Sequence, residues 1–295
     1  MHLRVLLCLV ASLAACAPSR EAPASPAIVV VDDNGDTTRL TAPASRIVSL
    51  SPSSTELVFA LGAGDHLVGR TRWCDYPAAV ARVPDVGEGI PPNIEAVLAQ
   101  HPDLVLLYRS AQNRDAAERF RAAGVAVLTL RMDLLDDVSR LARLLGPALG
   151  RQQSGDSLAA AYDAALRGIR DSLARADQRR PSILLLAWDQ PPIAIGAGSF
   201  QSEILSLAGG RNIVADITAP SAPVSIESIA SRNPDFILTS DSAEPAYAGK
   251  AEWRVVPAIA RRRFIRYGDP AFGRPSPRAP LIIEALRRQI LAARN

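Results

Sequence analysis

Lysine is nearly absent from this chain. Lys250 is the single example, and arginine supplies the rest of the 33 basic residues. Those arginines are dispersed among 30 acidic residues for a net charge of +3, and no concentrated basic stripe marks a nucleic-acid partner. Histidine is scarce: beyond His2 there are only His66 and His101. A bare zinc or manganese site needs several donors converging on one ion, which two histidines do not supply. Of the three cysteines, Cys8 and Cys16 fall in the N-terminal segment and only Cys74 lies in the body of the chain. No internal disulfide is then available, and a domain of this size does not need one. After the N-terminus no stretch approaches the ~20 continuous apolar residues that span a bilayer. Catalytic signatures are also missing. There is no Gly-x-Ser-x-Gly elbow, no His-Glu-x-x-His, and no phosphate-cradling glycine loop with lysine. Gly196-Ala197-Gly198 reads as a turn, and a hydrolase reading has no residues behind it.

What the chain does contain is a repeated sentence. Asn93-Ile94-Glu95-Ala96-Val97-Leu98 leads to Pro102-Asp103-Leu104-Val105-Leu106. Ser225-Ile226-Glu227-Ser228-Ile229-Ala230 leads to Pro234-Asp235-Phe236-Ile237-Leu238. The copies lie 132 residues apart, far beyond solenoid periods of about 20–50 residues. That separation fits two similar lobes, each the size of a small domain. A weaker echo pairs Thr55-Glu56-Leu57-Val58 and Gly62 with Ser202-Glu203-Ile204-Leu205 and Gly209.

Around these copies, apolar runs alternate with helical patterns. Residues 28–31 and 37–40 read as a hairpin turning at Asn34-Gly35. Strands are predicted at 46–50, 67–70, 103–107 and 125–130, with helices at 55–61 and 114–123. Helices are expected at 133–149 and 152–176, the second a stiff connector. The alternation restarts with strands at 182–188 and 236–239 and helices at 200–208 and 277–293. Such βα alternation implies largely parallel sheets, hence an α/β protein of two Rossmann-like lobes with a ligand cleft between them. The expected division is residues 46–150 for the N-terminal lobe, 151–180 for the connecting helix and 181–295 for the C-terminal lobe. A tether and hairpin at 17–45 precede them.

Residues 1–16 read as an export signal, with Arg4 before an apolar core too short to span a bilayer. Leu13-Ala14-Ala15-Cys16 resembles a bacterial lipobox, which implies a lipid anchor on Cys16 and a periplasmic or cell-surface location.

Arg46-Ile47-Val48-Ser49-Leu50-Ser51-Pro52, Thr55-Glu56-Leu57, Cys74-Asp75-Tyr76-Pro77 and the twin Pro-Asp segments resemble the periplasmic binding proteins of ABC importers. They are most similar to the class whose lobes are joined by one rigid helix and which carries cobalamin, haem or iron-siderophores. The resemblance implies a monomeric, non-enzymatic carrier that delivers its ligand to a permease dimer with ATPase subunits. Asp75-Tyr76-Pro77 and the Asp269 to Arg278 segment are most like the cobalamin-binding members. Cobalamin would then be cargo rather than a cofactor, and a haem or ferric-siderophore carrier of the same class is the alternative. On this resemblance Trp73, Tyr108, Trp188, Asp269, Phe272 and Arg274 are expected at the ligand, and Glu95 and Glu227 at the permease. Two family aromatics have no counterpart, since Val86-Gly87-Glu88-Gly89-Ile90 and Pro220-Ser221-Ala222-Pro223 hold none.

Each of these residues also has a plainer reading. Glu95 and Glu227 follow the helix caps Asn93 and Ser225 by two positions, where a carboxylate suits the helix dipole by about 0.3–1 kcal/mol. Their recurrence in both copies favours a two-point electrostatic handle. Trp188 suits a core as well as a cleft. Tyr76 suits a structural turn, Cys74 an inert interior, and Arg278 either a ligand anion or a solvated surface.

Overall fold

The computed structural model describes residues 27–175, 179–240 and 244–294. The expected export signal, Cys16 and nearly all of the tether lie outside the described residues. A hairpin of β1 (Ile28–Val31) and β2 (Thr37–Leu40) opens the described residues. The N-terminal lobe follows as β3 (Ile47–Ser49), α1 (Pro52–Ala60), β4 (Leu67–Arg70), α2 (Ile94–Leu98), β5 (Leu104–Tyr108), α3 (Arg114–Ala122) and β6 (Ala126–Leu130). Its strands are parallel in the order β4-β3-β5-β6. Leu104 and Leu106 face one core cluster, while Val105 and Leu107 face another on the opposite side. Strands buried on both faces are why the sequence shows unbroken apolar runs there rather than alternation.

Next come α4 (Asp136–Ala148) and α5 (Gln152–Arg175). The C-terminal lobe is built from β7 (Ser182–Asp189), β8 (Pro192–Ile195), α6 (Phe200–Leu207), β9 (Arg211–Asn212), β10 (Ser221–Pro223), α7 (Ile226–Arg232), β11 (Phe236–Thr239), α8 (Pro257–Ala260), β12 (Phe264–Arg266) and α9 (Ala279–Arg294). Its parallel strands run β9-β7-β11-β12, the order of the first lobe repeated. Two α/β lobes joined by a long helix are therefore present, as the alternation implied.

The repeated sentence has a structural meaning. The Asp103 carboxylate accepts the Ser45 amide and hydroxyl and the Arg46 amide at 2.8–3.0 Å. The Asp235 carboxylate accepts the Ser182 amide and hydroxyl, both at 2.8 Å. In each lobe the Pro-Asp aspartate thus staples the start of the lobe's first strand to its third. The residues before the two prolines, His101 (φ 50°) and Asn233 (φ 43°), turn through the left-handed region. The weaker echo is equally real: Ser51 caps α1 and Ser199 caps α6.

The 24-residue α5 spans about 36 Å at 1.5 Å per residue. Ala159 sits in a core cluster of the N-terminal lobe, while Tyr162, Leu166 and Ile169 sit in one of the C-terminal lobe. Anchored in both, the helix works as a strut rather than a loose linker. Its crossing with α4 is close: a Cβ on Gly155 would fall 2.4 Å from the Ala142 carbonyl oxygen.

Some boundaries differ from expectation. Helix α1 starts at Pro52, because Ser51 accepts the Ser54 amide and proline suits the first helical position. Helix α4 starts at Asp136 rather than 133, since the Asp137 carboxylate accepts the amides of Asp133 and Leu134. The hairpin of β7 with β8 has no expected counterpart. It forms because the second half of β7 leaves the parallel sheet and pairs antiparallel across Gln190-Pro191.

Candidate functional site

In parallel sheets the space beyond the carboxyl ends of the strands is where ligands sit. Here β5 ends on Tyr108 and β7 ends on Trp188 and Asp189, while the chain beyond β4 carries Trp73. Three hollows line this side. One of about 230 Å³ lies on the N-terminal lobe against Pro52, Trp73, Ile90 and Tyr108. One of about 560 Å³ lies between the lobes, with Tyr108, Met132 and Asp133 facing Ile195, Phe200 and Pro220. One of about 360 Å³ lies on the C-terminal lobe against Trp188, Asp189, Tyr247 and Tyr267. A further hollow of about 300 Å³, rimmed by Arg170, Arg180, Arg287 and Arg294, is formed by α5, α6 and α9 and shares no residue with the cleft.

Trp73 is 61% exposed and Trp188 59% exposed. Indole surface left open to water on this scale needs a reason, and both rings are held by their N–H rather than by packing. Trp73 Nε1–H donates to Glu88 at 2.6 Å, and the other Glu88 oxygen meets Arg72 at 3.2 Å. Trp188 Nε1–H donates to the Gln190 carbonyl at 2.8 Å. Lys250 braces that hairpin, donating to Asp189 at 3.0 Å and to the Gln190 side chain at 3.1 Å. The Tyr108 hydroxyl donates to Asp133 at 2.7 Å. Burial first, then the Asp133 acceptor and its charge, push the phenol up to about 12.

The expected C-terminal contacts are used differently. Phe272 is a correction: its ring is 4% exposed and stacks on Tyr267 at 4.3 Å inside the lobe's core. Asp269 caps the turn at Pro270–Gly273 through the Ala271 amide and faces Arg278 at 3.3 Å. Arg274 reaches the opposite lobe, hydrogen-bonding Asp75 and the Trp73 carbonyl. Its Nε lies 3.2 Å from Glu56 as a charge contact without hydrogen-bond geometry. Arg278 crosses too. It makes a bidentate pair with Glu56 at 2.9 Å and lies over the Tyr76 ring at 3.8 Å. The Glu56 side chain is only 2% exposed. Arg278 is therefore neither a surface residue nor aimed at a ligand anion, and one flank of the cleft is closed by an ion network.

Ile90 stands exposed in the loop that lacks the family aromatic, and Pro220 and Ser221 line the cleft at the other such loop. Glu95 and Glu227 are exposed at the first turns of α2 and α7, where Asn93 and Ser225 do the capping. Neither carboxylate is in an ion pair among the described residues. Cys74 is buried, with Sγ 3.2 Å from the Thr55 and Thr71 hydroxyls. His66 meets the Ala44 carbonyl, and neither it nor His101 lines the cleft. No His/Cys/Asp/Glu group suited to a metal occurs among the described residues.

Sequence reasoning missed Glu56, Glu88, Asp133 and Lys250. Glu56 alone had a signal, an acidic residue inside an apolar helix pattern. The other three act through partners 15 to 61 residues away.

The sequence profile of the periplasmic binding protein family matches residues 47–271. A vitamin B12-binding protein of Yersinia pestis (strain Pestoides F) is 31% identical over 250 residues, covering 84% of this chain and 86% of the relative. The periplasmic vitamin B12 binding protein BtuF of Vibrio cholerae superposes with a TM-score of 0.71 at 27% identity, covering 86% of this chain and 99% of that one. The periplasmic heme-binding protein RhuT from Roseiflexus sp. RS-1 superposes with a TM-score of 0.74 at 27% identity, covering 85% and 99%.

Proposed function

The chain belongs to the periplasmic binding protein family, and on that premise we propose that it captures cobalamin or a related corrinoid between its lobes. It is a substrate-binding component of an ABC importer, with no catalytic step of its own. The observation that carries the corrinoid reading is the pairing of two open indoles with a tyrosine locked as a hydrogen-bond donor. A corrinoid brings its own metal and in-plane ligands, so it asks a carrier for ring faces and a few polar contacts. Haem asks for an axial donor. Tyr108, with its proton held by Asp133 and its phenol pushed up to about 12, is a poor source of tyrosinate at neutral pH. The likeness to a heme-binding protein supports haem as the second reading.

Glu95 and Glu227 are the two exposed carboxylates that meet the permease dimer, one from each lobe. Export and anchoring at Cys16 keep the monomeric carrier beside that permease.

The test is parallel titration of protein lacking residues 1–16 with cyanocobalamin and with hemin, followed by calorimetry and tryptophan quenching. One-to-one binding of cyanocobalamin, weakened at least tenfold by Trp73→Ala, is expected, as for a central aromatic contact. Tight hemin binding with a tyrosinate-to-iron absorption band that Tyr108→Phe abolishes would overturn the corrinoid reading.

A further inference from the structure

We propose that Arg274 is a positioning residue for the cleft indole Trp73, gripping its loop from the opposite lobe, rather than a group that meets the ligand. The inference rests on the cleft reading above. Arg274 follows the turn at Pro270–Gly273 in the C-terminal lobe, while Trp73 and Asp75 lie beyond β4 in the N-terminal lobe. The guanidinium bonds the Asp75 carboxylate and the Trp73 carbonyl together, so it holds a side chain on one side of Cys74 and the backbone on the other. Cys74 itself is buried between Thr55 and Thr71, which fixes the middle of the same segment. The indole is then tied at its far end by Glu88. Trp73 thus has one anchor in its own lobe and one in the other.

Charge favours this role over ligand contact. The Arg274 side chain is 13% exposed and stands against two carboxylates, Glu56 and Asp75. With its charge met and its planar fork engaged, it offers little to an incoming neutral macrocycle or anion. The arrangement also links two motions. Any widening of the cleft pulls Arg274 away from Asp75, which releases the loop that carries Trp73. Lobe separation and the aromatic surface offered to ligand are coupled through Arg274, while the neighbouring Arg278 pairs with Glu56 and meets the same segment further along, over the Tyr76 ring.

The test is a double-mutant cycle of Arg274→Ala and Asp75→Ala in a Trp188→Phe background. There the two remaining tryptophans are Trp73 and the buried Trp253. Iodide quenching of the ligand-free protein reports the Trp73 loop, and cyanocobalamin titration reports binding. Both single variants are expected to raise quenching and to weaken binding about tenfold, with the double variant no worse than either. Arg274→Lys is expected to match Arg274→Ala, because one ammonium does not reproduce the fork. Unchanged quenching in both single variants, with affinity lost only when Arg274 is replaced, would overturn the proposal and make Arg274 a ligand contact. If the protein with Trp188 intact binds no cyanocobalamin, the corrinoid reading falls, and the quenching arm still decides the positioning role. Thermal unfolding of each variant separates a local release from a global one.

Discussion

The two lobes share a plan and differ at their edges. Both order their parallel strands the same way, both staple the first strand with a Pro-Asp carboxylate, and both end the helix after that strand at a left-handed glycine, Gly62 (φ 76°) and Gly209 (φ 91°). The N-terminal lobe presents its tryptophan on an irregular loop clamped at two points. The C-terminal lobe instead extends β7 to eight residues and presents Trp188 on a hairpin braced by Lys250. The echoed glutamates diverge as well. Glu56 is buried against two arginines of the other lobe, whereas Glu203 is partly exposed and meets Arg170 of the connecting helix. A duplicated scaffold thus keeps its core devices, while the two copies of a residue take on separate work.

The sharpest way to break the comparison is at those glutamates. Glu56→Gln removes the buried carboxylate that Arg274 and Arg278 face, leaving Arg278 only the partly exposed Asp269, and is expected to cost about 3 kcal/mol in urea unfolding. Glu203→Gln is expected to cost about 0–1 kcal/mol, since its ion pair is partly solvated and its carboxyl already sits above the usual range through burial and the nearby Asp136. Equal losses would show that the echo carries one structural role in both lobes.

A second lever is the strut that both lobes share. Gly155→Ala drives a Cβ against the Ala142 carbonyl and is expected to cost about 1–3 kcal/mol through separation of α4 and α5. A neutral result in thermal melts would show that the crossing relaxes freely.

Asp235 tests the staple. Although burial alone would raise its carboxyl, the amide and hydroxyl of Ser182 hold it below the usual carboxylate range. A depressed folded pKa gives stability that is present above the unfolded pKa of about 3.9 and is lost as pH falls through the folded value. Asp235→Asn is expected to cost about 1 kcal/mol at pH 7 and to flatten the decline below about pH 4. A parallel acid curve for variant and parent would remove Asp235 from that role.

The smallest stability effect is expected at the exposed indole of the hairpin. Trp188→Ala should change unfolding free energy by no more than about 0.5 kcal/mol while weakening ligand binding. A large stability loss instead would place Trp188 among the packing residues.

Much of this was legible in sequence because it is local or periodic. The Asn93 and Ser225 caps, the Pro-Asp pairs and the apolar strand runs are set by short-range stereochemistry, so the duplication and the α/β class could be read directly. The hairpin at Trp188 was not legible, because Gln190-Pro191 reads as a break and the pairing that completes it is tertiary. Phe272 was expected at the ligand only because the Asp269 to Arg278 segment resembles that of the cobalamin-binding members, whereas its ring lies against Tyr267 in the core.

By itself, the sequence determined that there would be two similar lobes, a stiff helix between them and a cleft at the carboxyl ends of the strands. Those outcomes follow from periodicity, capping and chain length. Only the tertiary structure decided which side chains face that cleft and which are engaged elsewhere. Arg274 and Arg278 meet partners about 200 residues away in the other lobe, and Tyr108 acquires its raised pKa from burial first and then from Asp133. Charge pairing and burial act through space, so their consequences appear only when the chain has brought distant residues together.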